Sequence, residues 1–512
     1  MTGPVRLAEK AQLAAIEGRM EADLSGAEVS LRELVAAYPE DPYPLMLLAK
    51  LCFRRSGFAE MRELAEAALT LAPEAPQALG ALAFSHYYLG ELEASAAAFE
   101  RLAAVSQRRQ ELERHGSCLF ALGRLEAAAR CFHRVLEIAG AEPPHKRAAA
   151  QFQLARILRD QGHGGEADTR MTTLLAQAEL APLAISSTLL GLINRMDFHE
   201  WDRFRKKEAL FEAIQAYGRA HGAAAFPYHP RTYVMPRDHQ ALLAAAAAGE
   251  GGPLWIVKPT HLFGGQGMRL IDDPAQVAAA PGVIVQDYIA APYLLQDRKA
   301  HLRLYLLITS AAPLRAYFWR DGIVRFAPEA YRPPTIPVAP DWLERQGMHI
   351  TNTALHLDHP ELRLSEDASV EDEGNIWSLA AYVRHIGEAG GDVERLWRNL
   401  DRLALGFLRV VEHSGLFARQ AAAPSPRAYP PKFIGLDVLL DADLRPWLLE
   451  AQRMPGQTGS PLVDAVNGRL FRTIFSMIVA PLGDLPPEAW SDREAELERL
   501  RRGDFVPLHP EP

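Results

Sequence analysis

The chain has 512 residues, of which 48% are hydrophobic and 23% are charged, and its formal net charge is −9. This length exceeds what one hydrophobic core supports, so we expect about two to four domains. The negative net charge argues against a nucleic-acid partner, because proteins that bind nucleic acid usually carry a basic face.

The N-terminal segment predicts a cytoplasmic protein with no membrane partner. Glu9 and Glu17 interrupt the apolar stretch that a signal peptide would need. No run of about 18 apolar residues occurs along the chain. The cysteines Cys52, Cys118 and Cys131 lie in apolar helical contexts without the spacing of metal ligands. We therefore expect reduced thiols packed in cores.

The first third of the chain contains a periodic pattern. Four glycines follow apolar helical stretches at intervals of 31, 33 and 33 residues: Gly26, Gly57, Gly90 and Gly123. Apolar residues around them recur at i, i+3 and i+4, which predicts two amphipathic helices joined at each glycine. A looser fourth unit spans residues 145–179. The period resembles that of the tetratricopeptide repeat, about 34 residues, and predicts an all-α solenoid over residues 1–181.

A solenoid of stacked helix pairs presents an extended concave surface. The functional interpretation of residues 1–181 is a docking groove for a protein or peptide acceptor. The alternative is a rigid spacer or a dimerisation arm. Phe99 and Phe132, again 33 residues apart, are core residues under either interpretation.

The pattern changes near residue 182. Residues 182–250 are predicted to be a connecting, largely helical segment, and residues 251–505 an α+β domain. Short apolar strands are predicted at 254–259 and 283–289, and two hairpins at 302–310 with 314–320 and at 433–441 with 445–451. The acidic segment 365–374 and the proline-rich segment 421–431 are predicted loops.

Lys258 and the glycines that follow it suit a polyphosphate. Lys258 ends a predicted strand, and the loop after it contains Gly264, Gly265 and Gly267. Glycines let backbone N–H groups approach phosphate oxygens, and the lysine neutralises their charge. The loop does not follow the Walker pattern, and a simple glycine-rich hairpin turn is the alternative.

Asp437 and Glu450 lie on the two strands of one predicted hairpin, within apolar stretches. Carboxylates on buried strands are costly unless a cation faces them. A Mg²⁺ site between these two carboxylates and nucleotide phosphates explains both residues. A structural salt bridge is the alternative.

Seven segments occur in the order seen in the tubulin–tyrosine ligase-like family: WIVKP, GGQGM, VQDYIAAPYLL, DRKAHLRLYLLIT, AYFWRDGIVRFAPEAY, HITNTAL and GLDVLLDADLRPWLLEAQRMPG. Over residues 195–480 the chain resembles this family. The resemblance implies an ATP-grasp fold with ATP and Mg²⁺ as ligands.

The resemblance also implies roles for individual residues. Arg303 and Arg320 would be catalytic, and Asp437, Glu450 and Gln452 would bind the metal. The implied nucleotide-binding residues are Lys207, Lys258, Gly264, Gly265, Gln266, Gly267, Gln286, Asp287, Tyr288, Ile289, Lys299, Thr351 and Asn352.

The sequence departs from the family pattern in three places. His301 replaces an aspartate, and Gln452 replaces the asparagine of a metal-binding Glu-x-Asn. The family's small front lobe is expected to be missing or shrunken, because the helical pattern continues almost to Lys207. The amino-acid and acceptor pockets therefore do not transfer from the family.

The implied reaction activates a carboxylate as an acylphosphate and joins it to the amine of a free amino acid. In the first hypothesis the carboxylate belongs to a protein acceptor that the repeats recruit. The alternatives are a ligase for small molecules or peptides and an inactive ATP-binding adaptor. Lys258, Asp437 and Glu450 argue against the adaptor.

Overall fold

The computed structural model describes the chain except residues 1–7, 21–23, 56, 141, 143, 181–200, 202–203, 205, 261–264, 339–345, 426–428, 430, 453–459, 484 and 509–512. Within the described residues, an all-helical N-terminal region precedes a sheet-rich region. No helix of this part of the chain has the length and apolar character needed to cross a membrane.

The N-terminal region forms a helical array in which each helix packs against the next. Its helices in the described residues are α1 (Lys10–Arg19), α2 (Leu24–Ala37), α3 (Pro42–Arg54), α4 (Phe58–Leu71), α5 (Pro76–Leu89), α6 (Leu92–Ala103), α7 (Arg109–Ala121), α8 (Leu125–Ala139), α9 (Pro144–Asp160) and α10 (Gly164–Leu180). The prediction of an all-α region is confirmed, and the tetratricopeptide assignment stays a prediction.

Three of the four predicted glycine turns lie at helix boundaries. Gly57 precedes α4, and Gly90 ends α5 with a φ of 77°, a left-handed conformation that glycine adopts without steric cost. Gly123 follows α7. The turn predicted at Gly26 is wrong, because this residue lies in the first turn of α2 and α1 has already ended at Arg19.

The sheet-rich region contains eight further helices and twelve strands among the described residues. The helices are α11 (Lys207–His221), α12 (His239–Ala247), α13 (Gln346–His349), α14 (Leu379–Glu388), α15 (Val393–His413), α16 (Leu416–Ala421), α17 (Pro461–Ile478) and α18 (Trp490–Arg501). The strands are β1 (Thr232–Val234), β2 (Trp255–Pro259), β3 (Arg269–Ile271), β4 (Val283–Asp287), β5 (Leu294–Leu295), β6 (Arg298–Ala311), β7 (Leu314–Trp319), β8 (Ile323–Phe326), β9 (Ile376–Ser378), β10 (Lys432–Leu440), β11 (Pro446–Gln452) and β12 (Phe505–Pro507).

The strands form two antiparallel sheets. The smaller sheet has the order β1-β4-β2-β3, and the larger has the order β11-β10-β6-β7-β12, with β5 and β8 also paired to β6 and β9 paired to β8. Both predicted hairpins are confirmed, as β6–β7 and β10–β11. The segment 182–250, predicted to be a connection, contributes β1 to the small sheet.

Two predicted loops have different outcomes. Residues 365–374 contain neither helix nor strand, as predicted. The loop predicted at 421–431 lies partly outside the described residues, and its first residue ends α16.

Side-chain alternation gives the central strand β6 two different faces. Leu302, Leu304 and Leu306 belong to a hydrophobic core shared with α14 and α15. Tyr305 and Leu307 point to the opposite face and pack in a core shared with α17. Toward the N-terminal end of β6, this second face carries charged side chains instead of apolar ones.

The helical array packs directly on the sheet-rich region. Asp168 on α10 accepts hydrogen bonds from the backbone amides of Leu482 (3.0 Å) and Gly483 (2.6 Å). It also accepts a hydrogen bond from the buried Arg159 guanidinium, at 2.7 Å. One hydrophobic cluster contains Phe152 of α9 together with residues of α17. The two regions therefore share a core, and deletion of the array would expose it.

We predict that Asp168→Ala weakens this junction. The substitution leaves two backbone amides without their acceptor and a buried arginine without its carboxylate partner, so we expect the free energy of unfolding to fall by about 2–4 kcal/mol. Differential scanning calorimetry measures the change. Glu166→Ala is the matched control, because the Glu166 side chain on the same helix is 54% exposed and pairs with Arg170 on that helix. Equal losses in the two variants would contradict the assigned role of Asp168.

Candidate nucleotide-binding and catalytic site

The charged face of β6 brings together several of the predicted site residues. Lys299, His301 and Arg303 alternate along the strand and point to the same side. The neighbouring strand β10 places Asp437 directly opposite Arg303, and β11 places Glu450 opposite Asp437. Strand register thus gathers residues more than 130 positions apart in the sequence.

The small sheet supplies a buried lysine to the same cleft. Lys258 on β2 donates a hydrogen bond of 2.6 Å to Oε1 of Gln286 on β4. The amide of Gln286 in turn donates to Thr232 Oγ1 at 2.9 Å. The Gln286 side chain therefore orients Lys258 instead of facing a ligand base.

Lys299 lies among aromatic rings. Its ammonium donates to Tyr288 Oη at 3.2 Å and lies 4.6 Å from the centre of that ring. Tyr288 Oη is also hydrogen-bonded to Nδ1 of His349, at 2.9 Å. The aromatic groups hold the ammonium in place without neutralising its charge.

Both lysines have depressed pKa values. Burial lowers the pKa of Lys258 to about 8, although the charge of Glu450 opposes the shift. Burial, and then the charge of Lys258, lower the pKa of Lys299 to about 7. Among the described residues, neither lysine forms an ion pair with a carboxylate. The cleft therefore contains positive charge that a bound polyanion would stabilise.

The two carboxylates predicted to bind metal have different partners. Asp437 forms a two-point ion pair with Arg303, through Nε–Oδ1 and through Nη2–Oδ2 at 3.0 Å. Glu450 lies 3.9 Å from Lys207 Nζ and accepts a hydrogen bond of 2.6 Å from Gln452. Burial and then the charge of Asp437 raise the pKa of Glu450. In contrast, Arg303 outweighs the effect of burial and lowers the pKa of Asp437.

The donor set fits a magnesium ion shared with phosphates. Asp437, Glu450 and the Gln452 amide offer oxygen ligands, which Mg²⁺ prefers, and Mg²⁺ commonly takes one or two carboxylates together with phosphate oxygens. Burial, and then the charge of Asp437, raise the pKa of Glu450, and a bound divalent cation would oppose both effects. No group of three or more histidine, cysteine or acidic residues that suits a metal occurs within the described residues, so a metal bound here would need ligands from the nucleotide.

The cleft between the two sheets contains most of the residues that the family resemblance marked as nucleotide-binding. A cavity is lined by these residues, among others: Lys258, Gly265, Gln286, Asp287, Tyr288, Ile289, Lys299, His301, Thr351, Asn352, Asp437 and Glu450. Gly264 lies outside the described residues. Gly265 has a φ of 89°, and a Cβ atom there would approach Leu355 to 2.6 Å. Only glycine therefore fits at this point of the loop.

Several predicted contacts are already made within the protein. The backbone amides of Asp287 and Tyr288, two of the implied nucleotide-binding residues, donate to the carbonyls of Arg231 and Leu254. Thr351 is hydrogen-bonded to His301 Nδ1 at 2.6 Å. The Asn352 side chain accepts from the Ala354 amide. Burial lowers the pKa of His301 to about 3, so this histidine is neutral where the family has a carboxylate.

Arg320, predicted to be catalytic, is not brought to the cleft. It follows β7 and points to the opposite face of the large sheet, where it pairs with Asp401 of α15 at 2.8 Å. Its guanidinium also lies 4.8 Å from the Trp397 ring. The structure thus places Arg320 in a contact between sheet and helix.

Arg325 is a cation of the site that we did not single out from the sequence. It lies on β8 directly opposite His301, so its side chain points to the charged face of the large sheet. The signal was a single arginine inside the buried apolar run IVRF. Recognising it required knowledge that β8 pairs with β6.

The chain is similar in sequence to known proteins. The family model described as Tubulin-tyrosine ligase family matches residues 188–487. The chain is 30% identical to tubulin polyglutamylase TTLL5 of Mus musculus over 303 residues, which are 59% of the chain and 22% of that protein. It is 30% identical to tubulin polyglutamylase ttll-5 of Caenorhabditis elegans, over 54% of the chain and 39% of that protein. It is 27% identical to tubulin monoglutamylase TTLL4 of Mus musculus, over 53% of the chain and 22% of that protein. The chain thus spans less than half the length of each of these relatives.

We predict that binding of Mg-ATP takes up protons at pH 8. The free-state pKa values of about 7 for Lys299 and about 8 for Lys258 leave both partly neutral at that pH, and bound phosphates favour their charged forms. Calorimetry in buffers of different ionisation enthalpy should give an uptake of about one proton, because Lys299 and Lys258 together lack only about 1.4 protons at pH 8. The uptake should decrease at pH 6 and in Lys299→Met. Proton release, or no exchange, at pH 8 would contradict the assignment of both lysines to phosphates.

We also predict that Arg320→Met affects stability and not turnover. Loss of its ion pair and its stacking on Trp397 should lower the free energy of unfolding by about 1 kcal/mol, with the turnover per folded molecule unchanged. Arg303→Met is the comparison, because it leaves the buried Asp437 unpaired within the cleft. Thermal melts and steady-state assays of both variants test this. A turnover loss in Arg320→Met as large as that in Arg303→Met would overturn the placement.

Proposed function

The chain belongs to the tubulin-tyrosine ligase family, and on that premise we propose that it is an ATP-dependent ligase that joins an amino acid to a carboxylate of a protein acceptor. The observation that carries the proposal is the pair of buried lysines, Lys258 and Lys299, facing Asp437 and Glu450 across one cleft. A polyphosphate balances the lysines, and the carboxylates suit the metal that accompanies it.

The proposed amino acid is glutamate. The relatives named above are polyglutamylases and a monoglutamylase of tubulin. For this chain the acceptor is proposed to be an acidic protein segment, because activation needs an accessible carboxylate. ATP transfers its γ-phosphoryl group to that carboxylate and leaves as ADP. The amine of glutamate then displaces phosphate from the acylphosphate, and an amide bond forms.

The residues of the cleft are proposed to act by positioning and charge neutralisation. Lys258 and Lys299 bind the phosphates, and the loop around Gly265 covers them and excludes water. Mg²⁺ bound by Asp437, Glu450 and Gln452 would neutralise charge on the transferring phosphoryl group. Arg303 holds Asp437 in place within the cleft. No covalent intermediate with the protein is required.

The helical array is proposed to recruit the acceptor. The Lys206 ammonium lies 5.9 Å from the centre of the Phe58 ring at the start of α4. The next residue, Lys207, begins α11 and approaches Glu450. The start of α4 therefore contacts the residue next to one that faces Glu450. This proximity supports docking of the acceptor on the array over a role as a remote spacer.

The proposal is tested with purified protein, Mg-ATP, each amino acid in turn and a panel of acidic peptides. Mass spectrometry of the peptides should detect addition of glutamate residues. Addition of another amino acid would contradict glutamate as the substrate but would support the proposed ligation reaction. ATP turnover that depends on an amino acid but modifies no peptide would favour a small-molecule ligase. No amino-acid-dependent turnover would contradict the proposal.

We predict that Glu450→Gln lowers turnover by about 100-fold or more while ATP still binds. The substitution keeps the size of the side chain and removes its charge. Calorimetry with Mg-ATP and the peptide assay measure the two effects separately. Asp401→Asn, in the ion pair on the opposite sheet face, is the matched control and should turn over normally. Normal turnover by stably folded Glu450→Gln would refute the metal assignment.

A further inference from the structure

A second cavity, the junction cavity, lies where the helical array meets the sheet-rich region. Its volume is about 480 Å³, which is within the range of small-molecule pockets. The array contributes Phe152 of α9 and Met171 of α10 to the lining, and α17 and α18 contribute Met477 and Trp490. The end of β6, from Ile308 onward, also lines it. The two linings share no residue, so the junction cavity is separate from the catalytic cleft.

Two buried side chains of this lining carry hydrogen-bond donors that lack an acceptor among the described residues. Trp201 is 7% exposed, and its indole Nε1 has no hydrogen-bond partner. Gln420 on α16 is 4% exposed, and its side-chain Nε2 has none either. A buried donor left without an acceptor is costly, and folded proteins satisfy most such groups. The partner that the cavity lacks at both positions is therefore a hydrogen-bond acceptor.

The charges around the junction cavity favour an anionic acceptor. Four cations and two carboxylates line it: Arg156, Arg159, Arg315, Lys432, Glu494 and Glu498. Both carboxylates pair with Arg315, at 3.2 Å and 3.1 Å. Arg159 pairs with Asp168, which lies outside the lining. Four cations thus face three carboxylates even when Asp168 is counted, and the positive balance attracts an anion.

Much of the remaining wall is apolar, and part of it is aromatic. The rings of Phe152, Trp201 and Trp490 line the cavity together with the side chains of Met171 and Met477. An inorganic anion would satisfy the donors but leave this apolar surface in contact with water. A ligand that suits both parts of the wall has an acidic head and an apolar body.

We propose that the junction cavity binds a small organic carboxylate with an apolar body, whose oxygens accept hydrogen bonds from Trp201 Nε1 and Gln420 Nε2. A carboxylate suits these donors, because its two oxygens can accept from both at once. The array and the sheet-rich region both line the cavity, so such a ligand stabilises their junction. The inference goes beyond the proposed function and does not depend on it.

The test is calorimetry of the full chain with sodium 2-naphthoate as the probe. We expect one bound molecule per chain, with the same Kd in the presence of saturating Mg-ATP. Trp201→Phe keeps an aromatic ring and Gln420→Met keeps the side-chain length, and each removes one donor. The Kd should rise about 5- to 10-fold in each variant, because a charge-assisted hydrogen bond is lost. Trp447→Phe is the matched control with an unchanged Kd, because the Trp447 indole donates to Asp441 (2.9 Å) outside this cavity.

Four results overturn the inference. They are no binding at millimolar probe, displacement of the probe by Mg-ATP, an unchanged Kd in both Trp201→Phe and Gln420→Met, and equal binding of naphthalene-2-methanol. The alcohol retains the apolar body and removes the negative charge, so we expect it to bind at least about 10-fold more weakly. None of these measurements requires turnover, so they decide the inference even if the proposed function fails.

Thermal melting separates a ligand-binding amide from a structural one. Without ligand, Gln420→Met should melt at or above the temperature of the wild type, because the Nε2 group has no acceptor to lose. The probe should raise the melting temperature of the wild type more than that of Gln420→Met. A lower melting temperature of the unliganded variant would identify an amide that is satisfied within the protein and would overturn its assignment to the ligand.

Discussion

An excess of positive charge on one buried face of the large sheet is the constraint on which the site depends. Among the described residues, five cations face two carboxylates there: Lys207, Lys258, Lys299, Arg303 and Arg325 against Asp437 and Glu450. Such an excess is unfavourable in the free protein, because desolvation penalises each charge. It becomes favourable when phosphates and carboxylates enter. The unfavourable electrostatics of the empty cleft and its capacity to bind polyanions thus have the same origin.

The rest of the fold supports this face. From Ala300 to Ile308, the opposite side of β6 is apolar and packs in a core shared with α14 and α15. Beyond the charged stretch, the same face becomes apolar again and meets α17, with the helical array packed behind it through Asp168. The array therefore contributes to the stability of the sheet-rich region, and Phe58 at the start of α4 lies under the side chain of Lys206. Deletion of the array would therefore alter stability whether or not the array docks an acceptor, and cannot by itself test the proposed docking.

Local patterns in the sequence predicted the all-α character of the N-terminal array, three of its four glycine turns, both hairpins and the strand positions of Lys258 and Asp437. These features depend on periodicity and on turns between neighbouring residues, which short segments encode. The face that each side chain presents was not predictable, because it depends on strand register across the sheet. Arg320 and Arg325 lie only five positions apart but point to opposite faces. The ion pair between Arg303 and Asp437 likewise depends on pairing of distant strands.

The central claim is that the charged face binds ATP phosphates and a metal. A crystal structure of the protein with Mg²⁺ and a non-hydrolysable ATP analogue tests it most directly. The account predicts phosphate oxygens within hydrogen-bond distance of Nζ of Lys258 and Lys299, and a metal bound by Asp437 and Glu450. A nucleotide bound elsewhere, or phosphates in the cleft with no metal at these carboxylates, would contradict it.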